Sequence, residues 1–442
     1  MSIDRTKKIK GKGWNGITID LKKTENFDLL NLVEMNPIKY PYFLESSSRG
    51  NLLNRYSIVF YKPEVVLVKN SANIHFLNEF DKLWDKNKVE QDEMIYQGNQ
   101  IPFYGGWFVY IGYEIAKEIE KKIVIPRSPY FLPDAFAARV NTSVIYDHVK
   151  RVLILTSDKD SFSNDFNDIL SDLDKSKFSH ENLSYKGSVK IISKGTSIEH
   201  QSQVKSCIDY INQGEIFQAN LSRLWRFKVD EELTDIDIYR KLREKNPAPF
   251  AGIVRYKESS IISSSPERLI SISGDHLQTR PIAGTRPRGT SGIVDVELTR
   301  ELINSDKEKA EHLMLVDLER NDISKVCEPG SVKVDEMMSI ETYAHVHHIV
   351  SNISGKKRKN INPGEIIKSV FPGGTITGCP KVRCMEILAE LEKEGRGPYT
   401  GSFGYVTHNG NMDINILIRT ILKESNDLFF KFISPSTNSS CN

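Results

Sequence analysis

The sequence has 442 residues, of which 39% are hydrophobic and 27% charged, an ordinary composition for a globular chain with a large buried core. Its 60 basic and 58 acidic side chains leave a formal net charge of +2. This near-balance argues against a protein that binds nucleic acid through a basic surface.

Three further features of the composition concern location. The apolar runs are shorter than the roughly 18 residues of a membrane helix, so we expect no membrane span. The N-terminus lacks the apolar core of a signal peptide. The five cysteines are few and scattered, which favours a reducing compartment. We therefore expect a cytoplasmic protein.

The first 150 residues are predicted to form mainly strands with helices between them. Four short runs rich in β-branched and aromatic residues are predicted strands: 57–61, 65–68, 144–146 and 152–156. Residues 105–113 are aromatic and bounded by glycines, and a helix is expected at 114–120. The composition turns polar between 157 and 195, where we expect a surface segment and a soft boundary. The chain is thus divided into an N-terminal region, 1–190, and a C-terminal region, 191–442.

A helix is predicted to open the second half of the chain. Thr196 and Glu199 form a capping box at its start, and Gly214 lies where a left-handed residue commonly ends a helix. Beyond this helix the pattern predicts a strand, a strand–turn–strand unit and a loop dense in Arg, Pro and Gly, at 215–222, 261–270 and 278–289 respectively.

A later helix carries two acidic residues on one face. Ser305 and Glu308 form its capping box, and Glu308 and Glu311 are three residues apart. Like charges at this spacing repel each other unless a cation lies between them. A solvated acidic face is the common explanation of such a pair. The functional alternative is a Mg²⁺ site completed by water and substrate oxygens.

A glycine-rich loop, 371–381, leads into a helix in the last part of the chain. Gly373, Gly374 and Gly378 allow a tight turn and a close approach of the backbone to a ligand, and Pro380 suits a helix start. The predicted buried stripe of this helix is Val382, Met385, Leu388, Ala389 and Leu391. A helix N-terminus after such a loop can bind a carboxylate or phosphate, although the glycines can equally serve packing alone.

The residues after this helix predict a β-hairpin. An Asn-Gly pair at 409–410 lies between two apolar runs, 401–407 and 412–422, and this pair is the strongest short hairpin signal. Arg419 is placed on the second strand, among apolar residues. An arginine in such surroundings needs a carboxylate partner, which is either an internal Glu or an acidic ligand.

Six ordered motifs carry a resemblance to a known family: 281–289, 310–318, 320–322, 346–351, 371–381 and 410–413. They resemble the chorismate-utilising enzymes, which include anthranilate synthase component I, aminodeoxychorismate synthase component I, and isochorismate and salicylate synthases. The resemblance implies an α/β (α+β) fold in which two antiparallel sheets form a sandwich with helices outside. In the N-terminal region, 42–46 and 105–107 resemble strands that form a tryptophan pocket in the two amide-dependent branches.

Position 218 separates the members of this family that add water from those that add ammonia. The water-adding members carry a Lys there as the base, whereas Gln218 does no general-base work at neutral pH. Gln218 therefore favours ammonia as the nucleophile. Two motifs, 346–351 and 371–381, resemble the aminodeoxychorismate branch. Ala283 is usual in anthranilate synthases and replaces a catalytic Lys of many aminodeoxychorismate synthases, so anthranilate is the alternative product.

The resemblance also implies roles for individual residues. Glu267 matches the general acid that protonates the departing hydroxyl of chorismate. Glu311 matches a direct Mg²⁺ ligand, and Glu308 matches one that acts from a second shell or through water. The implied substrate-binding residues are His348, Gly374, Thr375, Tyr399 and Arg419. Among them, Arg419 is expected to bind a ring carboxylate.

Two further expectations concern the partner and the C-terminus. The chain contains no nucleophile elbow for glutamine hydrolysis, so we expect a glutamine amidotransferase subunit to supply the ammonia. Residues 433–442 depart from the family pattern, which continues with a glycine-rich strand and a helix bearing a metal-binding Glu. We therefore expect a C-terminally truncated form with weakened Mg²⁺ binding and an exposed sheet edge. An inactive scaffold that binds the amidotransferase is the second alternative.

Overall fold

The computed structural model describes residues 6–21, 27–47, 55–69, 74–160, 162–176, 187–195, 197–343 and 345–433. The strands are β1 (Thr6–Gly11), β2 (Trp14–Asp20), β3 (Tyr42–Glu45), β4 (Tyr56–Tyr61), β5 (Glu64–Val68), β6 (Ile95–Tyr96), β7 (Asn99–Gln100), β8 (Gly106–Ile111), β9 (Ala135–Val140), β10 (Thr142–Asp147), β11 (Val152–Ser157), β12 (Val189–Ser193), β13 (Gln218–Ala219), β14 (Ser222–Val229), β15 (Phe250–Tyr256), β16 (Ser259–Ser265), β17 (Arg268–Ser273), β18 (His276–Thr279), β19 (Ile282–Pro287), β20 (Lys333–Thr342), β21 (Val346–Lys356), β22 (Gly378–Cys379), β23 (Ser402–Thr407), β24 (Met412–Asn415), β25 (Thr420–Glu424) and β26 (Asp427–Ile433). The helices are α1 (Leu30–Met35), α2 (Phe76–Lys86), α3 (Ala116–Ile119), α4 (Ser163–Ser176), α5 (Ser197–Asn212), α6 (Asp235–Lys245), α7 (Gly292–Asn304), α8 (Asp306–Ser324), α9 (Pro363–Val370) and α10 (Lys381–Glu392).

Two large antiparallel sheets form the centre of the molecule. The first has the strand order β1-β2-β11-β10-β4-β3-β15-β16-β25-β26-β14-β12. The second follows β19-β21-β18-β17-β24-β23-β8-β9-β5, with β20 paired to β21. The Tyr42 ring of the first sheet stacks on the Phe108 ring of the second, with 4.3 Å between centroids. The sheets therefore pack face to face around an aromatic core, and the expected sandwich is confirmed.

Two of the places where the chain crosses from one sheet to the other are neighbours in space. Between β16 and β17 it crosses through Pro266 and Glu267, and between β24 and β25 it crosses through residues 416–419. The Ile416 N–H donates to the Glu267 carbonyl at 3.0 Å, so the two crossings are joined directly. The prediction of one continuous strand over 412–422 is therefore wrong. Arg419 lies in the break with φ +52°, and this bend turns its side chain out of the expected strand pattern.

Three other predictions are corrected. Residues 278–289 are not a loop, because they contain the end of β18 and all of β19, both paired to β21. The strand expected over 215–222 is limited to the two residues of β13 and the first residue of β14. The polar segment 157–195 contains α4, whose buried face comprises Phe166, Ile169 and Leu173. For 278–289 and for α4, tertiary packing overrides a turn-like or polar composition.

Several local predictions are confirmed. Strands β10 and β11 pair as expected, and β23 and β24 form the predicted hairpin. Helix α5 is present, and Gly214 follows it with φ +75°. Thr196, the expected cap of α5, lies outside the described residues. Ser305 caps α8 by accepting a hydrogen bond from the Glu308 N–H at 3.3 Å, whereas the Glu308 side chain binds Arg286, so only half of the predicted capping box is formed.

Both sheets contain strands from the regions 1–190 and 191–442, and within each sheet the strands of one region lie side by side. The division at residue 190 stays a prediction. Strand β26 pairs with β14 on one side and β25 on the other, so it is not the exposed edge that we expected. Residues 434–442, most of the stretch that departs from the family pattern, lie outside the described residues. None of the described helices has the length and apolarity required to cross a membrane.

Candidate active site

Glu267 is a buried carboxyl group at the junction of the two sheets. It has 4% of its surface exposed, and its Oε1 lacks a hydrogen-bond partner among the described residues. Burial raises the pKa of Glu267 to about 7, while Thr375, the Ile282 N–H and Arg419 act in the opposite direction. A carboxyl group with this pKa carries a proton for much of the time at neutral pH. It can therefore act as a general acid.

The glycine-rich loop places Thr375 beside this acid. Asn220 donates to the Thr375 carbonyl at 2.7 Å, and the Thr375 hydroxyl is buried without a well-formed partner within the described ranges. At Gly374 a Cβ would lie 2.6 Å from the Leu318 side chain of α8, so a larger residue here would require Leu318 to move. The loop thus brings an unpaired hydroxyl close to Glu267.

Lys381 holds the start of this loop. Its Nζ lies 2.5 Å from the Asp322 carboxylate and donates to the carbonyls of Pro372 and Val370 at 3.0 and 3.2 Å. The following helix, α10, buries Cys384, Met385, Ile387, Leu388 and Leu391. Val382 of the predicted stripe is instead 42% exposed, so that part of the pattern is wrong.

Arg419 and His348 line a small pocket next to Glu267. The pocket is bounded by Asn246, Pro247, Pro249, Pro266, Tyr343, His345, Val346, His348 and Arg419. The Arg419 guanidinium donates to the Asn246 side chain at 3.2 Å, and its charge interacts with Glu267. Arg419 forms no ion pair with a carboxylate of the described residues, and Glu267 is the carboxyl group that its charge influences. The other N–H groups of the Arg419 guanidinium are available to an acidic ligand in this pocket.

His348 is held as a neutral imidazole. Burial, with Arg419 nearby, lowers the pKa of His348 to about 4. Its Nδ1 lies 2.8 Å from the Thr285 hydroxyl, and its Nε2 is buried without a partner in the described part of the chain. An unpaired polar atom at such a site is costly unless water or a ligand binds it.

Gln218 lies directly against Glu311. The Gln218 amide donates to Glu311 Oε1 at 2.6 Å. Its position is fixed by the pairing of β13 with β22, in which Gln218 is opposite Cys379. Burial and the neighbouring Glu308 raise the pKa of Glu311, whereas the Gln218 hydrogen bond lowers it. Gln218 and Asn220 lie in one short segment, which links Glu311 to the loop around Thr375.

Glu308 and Glu311 of α8 could hold a divalent cation only if water and substrate oxygens supply the remaining ligands. Glu308 accepts a hydrogen bond from Arg286 at 3.2 Å. No group of three or more His, Cys, Asp or Glu side chains with metal-binding geometry is found within the described ranges. Mg²⁺ is commonly held by one or two carboxylates with water and substrate oxygens. Glu311, partly buried beside a like charge, fits such a ligand.

The remaining expected residues lie around this centre at different depths. Ala283 is buried in β19, next to Ile282, whose N–H faces Glu267. Tyr399 is buried, and its ring packs 5.6 Å from the Arg396 guanidinium. Arg396 in turn donates to the Asn220 carbonyl at 2.7 Å. Arg396 therefore connects Tyr399 to the segment that contains Gln218 and Asn220.

Glu319 is a buried acid near the site that our reasoning from the sequence missed. It lies on α8, and its Oε2 is 2.5 Å from the Thr279 hydroxyl. Burial, with Glu267 and Asp322 nearby, raises the pKa of Glu319 to about 8. Its position eleven residues after Glu308 was the available signal, because eleven residues are close to three full turns of a helix.

Comparison with known proteins agrees with this geometry. The sequence pattern of the chorismate binding enzymes matches residues 40–432. The chain belongs to this family. A Bacillus subtilis protein named aminodeoxychorismate synthase component 1 is 36% identical over 412 residues, which are 89% of this chain and 86% of that protein. A Synechocystis protein named anthranilate synthase component I-like protein is 41% identical over 326 residues, which are 73% of this chain and 66% of that protein.

A solved structure extends the comparison to the whole fold. The crystal structure of anthranilate synthase component I from Streptococcus pneumoniae has a TM-score of 0.73 and 26% identity, and the match covers 95% of this chain and 93% of that one. Family membership makes the chain a chorismate-binding enzyme by type. The names of the relatives divide between two products, anthranilate and aminodeoxychorismate.

Proposed function

We propose that this chain catalyses the amination of chorismate with ammonia to give 4-amino-4-deoxychorismate. In the net reaction the ring hydroxyl leaves as water, ammonia supplies the amino group, and no oxidant or reductant is needed. The observation that carries the proposal is the buried Glu267, whose pKa of about 7 makes a proton available beside Arg419 and a neutral His348. Glu267 protonates the departing hydroxyl and becomes a carboxylate next to the Arg419 guanidinium.

Unpaired polar atoms around Glu267 support substrate binding at this place. The Thr375 hydroxyl, His348 Nε2 and Glu267 Oε1 are all buried and lack partners within the described ranges. A ligand that carries a hydroxyl and carboxylates would satisfy these atoms, and Arg419 would bind one of its carboxylates in a two-pronged contact.

The choice of ammonia over water rests on Gln218. An amide side chain has no basic nitrogen, and in this structure its N–H is already given to Glu311. Water is a weak nucleophile that needs a base to remove its proton, whereas ammonia attacks without first losing a proton. We propose that a glutamine amidotransferase subunit in the same cytoplasm delivers the ammonia.

We further propose Mg²⁺ as the cofactor. Glu311 would hold it directly and Glu308 through water, together with substrate oxygens. The cation would neutralise the like charges of these carboxylates and withdraw electron density from a bound carboxylate.

A second pocket between the sheets supports a tryptophan site. It is lined by Leu44, Glu45, Ser46, Pro249, Phe250, Arg268, Tyr405 and Asn415, among other residues. Its floor combines apolar surface with Glu45, which accepts hydrogen bonds from Tyr239 and Arg243 at 2.5 and 2.9 Å. We propose that the pocket binds tryptophan. Tryptophan should raise the melting temperature, and an unchanged melting temperature at millimolar tryptophan would exclude this site.

Anthranilate is the alternative product, and one observation favours it. Ala283 is buried beside Ile282 and Glu267 and offers no amine for covalent attack on the ring. Product identification decides between the candidates. The protein is incubated with chorismate, Mg²⁺ and an ammonium salt, with and without a lyase that converts aminodeoxychorismate to 4-aminobenzoate. We expect 4-aminobenzoate only with the lyase. Fluorescent anthranilate without the lyase supports the alternative product. The absence of both products supports the inactive scaffold.

A further inference from the structure

Glu319 is a buried carboxyl group to which the proposed reaction assigns no part. Four groups from four places in the fold face it: Thr279 of β18, Glu267 between the sheets, Asp322 on its own helix, and Lys381 of α10. It is 8% exposed. A carboxyl group this deeply buried needs either a cation or a proton, because a bare negative charge is strongly destabilised away from water.

The hydrogen bonds of Thr279 show which of these it has. Thr279 Oγ1 lies 2.5 Å from Glu319 Oε2 and 3.1 Å from the Leu269 carbonyl oxygen. A hydroxyl has one hydrogen to donate, and a carbonyl oxygen is only an acceptor. Both contacts are hydrogen bonds only when Thr279 donates to Leu269 and a protonated Glu319 donates to Thr279. The geometry is therefore that of a neutral carboxylic acid.

The surrounding charges agree with this assignment. Lys381 is a cation whose charge acts on Glu319, and its Nζ is already bound by Asp322 at 2.5 Å and by two backbone carbonyls. An ionised Glu319 would therefore meet Glu267 and Asp322 as like charges. Burial, and to a smaller extent these charges, raise the pKa of Glu319 to about 8, so that the group keeps its proton at neutral pH.

We propose that Glu319 is a positioning residue for Glu267, present as a neutral acid that binds Thr279 and keeps a second negative charge away from the general acid. The inference rests on the proposed role of Glu267. Glu319 binds Thr279, which in turn binds the Leu269 carbonyl, two residues beyond Glu267. Glu319 thereby fixes the position of the start of β17. Because Glu319 is uncharged, Glu267 can give up its proton without repulsion from its neighbour.

The two carboxyl groups then titrate as a coupled pair. Once either group has lost its proton, its charge makes the loss of the other proton harder. The wild-type activity should therefore decline gradually on the basic side of its pH profile. Glu319→Gln is neutral at every pH and still donates an N–H to Thr279, so it removes the coupling and keeps the positioning.

The first test is the pH profile of kcat/KM for ammonia-dependent amination. For E319Q we expect activity within about 3-fold of the wild type on the acidic side, since a neutral donor is retained. We also expect a basic limb that fits the loss of one proton at a lower pH than in the wild type. Asp317→Asn, an exposed neighbour on α8, is the control and should leave the profile unchanged. A uniform loss of E319Q activity at all pH values, with an unshifted limb, would overturn the proposal.

The second test is infrared spectroscopy, which needs no turnover. The wild type at neutral pH should show the C=O stretch of a protonated carboxyl group that E319Q lacks. Thr279→Val should shift this band without removing it, which gives a second variant if E319Q does not fold. If neither variant changes the protonated-carboxyl bands, Glu319 is ionised and the proposal is wrong. If the band is present but no aminated product forms, the proposed function fails while the protonation of Glu319 stands.

Discussion

Replacement of Glu267 by Gln separates the contribution of this residue to activity from its effect on stability. The folded protein holds the Glu267 proton up to a pKa of about 7, compared with 4.5 for an ordinary glutamate. Between these values the unfolded chain has lost the proton and the folded chain has kept it. The stability contributed by this group is therefore complete below pH 4.5 and falls as the pH rises through 7.

The magnitude follows from that interval. At about 1.4 kcal/mol per pH unit, the interval from 4.5 to about 7 corresponds to about 3 kcal/mol of destabilisation in the wild type at alkaline pH. Glu267→Gln removes the ionisation while keeping the shape of the side chain. We expect E267Q to be more stable than the wild type by about 3 kcal/mol at about pH 8, and by about 1 kcal/mol at about pH 5.

Activity should change in the opposite direction. An amide donates no proton to a departing hydroxyl, and general acid catalysis contributes roughly 10²- to 10⁴-fold, so kcat should fall by that factor. The assays are urea unfolding at the two pH values and steady-state kinetics. Glu258→Gln, on an exposed turn, is the matched control and should alter neither quantity. An E267Q variant that keeps wild-type kcat, or whose stability depends on pH as the wild type does, would refute the reasoning.

Three other predictions concern the groups around the acid. His348→Gln should lose less stability than the wild type on acidification. The pKa of His348 in the folded state is about 4, so as the pH falls below 6.5 the unfolded wild type binds a proton that the folded protein does not. Urea unfolding measures this with His276→Gln as the exposed control, and parallel curves for H348Q and the wild type would contradict it. Arg419→Lys should raise the KM for chorismate about 10-fold, because an ammonium lacks the two-pronged fork, and an unchanged KM would place the carboxylate elsewhere. Glu311→Gln should weaken Mg²⁺ binding at least about 10-fold by calorimetry, whereas Glu301→Gln on α7 should not, and equal affinities would remove Glu311 from the metal site.

The sequence motifs named most of the residues of the candidate site, but they did not predict how the fold assembles them. Apolar alternation over 412–422 predicted one strand, because alternation reports which side chains are buried and not which sheet buries them. The chain in fact changes sheets at Arg419, and this change places the guanidinium beside Glu267.

The burial of Glu319 could likewise not be predicted from the sequence. In sequence it is one more acidic residue on a helix that carries several, and such residues are usually solvated. Its burial depends on β18 packing Thr279 against α8, which only the tertiary fold determines. Residues 278–289 were predicted as a loop for a related reason, because their Arg, Pro and Gly content does not indicate the pairing with β21.

In the proposed reaction Glu267 protonates the departing hydroxyl of chorismate and Arg419 binds a carboxylate while ammonia adds to the ring. The most direct measurement uses ¹⁵N-labelled ammonium and ¹³C-labelled chorismate with wild-type protein and Mg²⁺, followed by NMR of the product. The account predicts a ¹⁵N–¹³C coupling at ring carbon 4, absent with E267Q. Coupling at carbon 2, addition of water in place of nitrogen, or unchanged chorismate would contradict it.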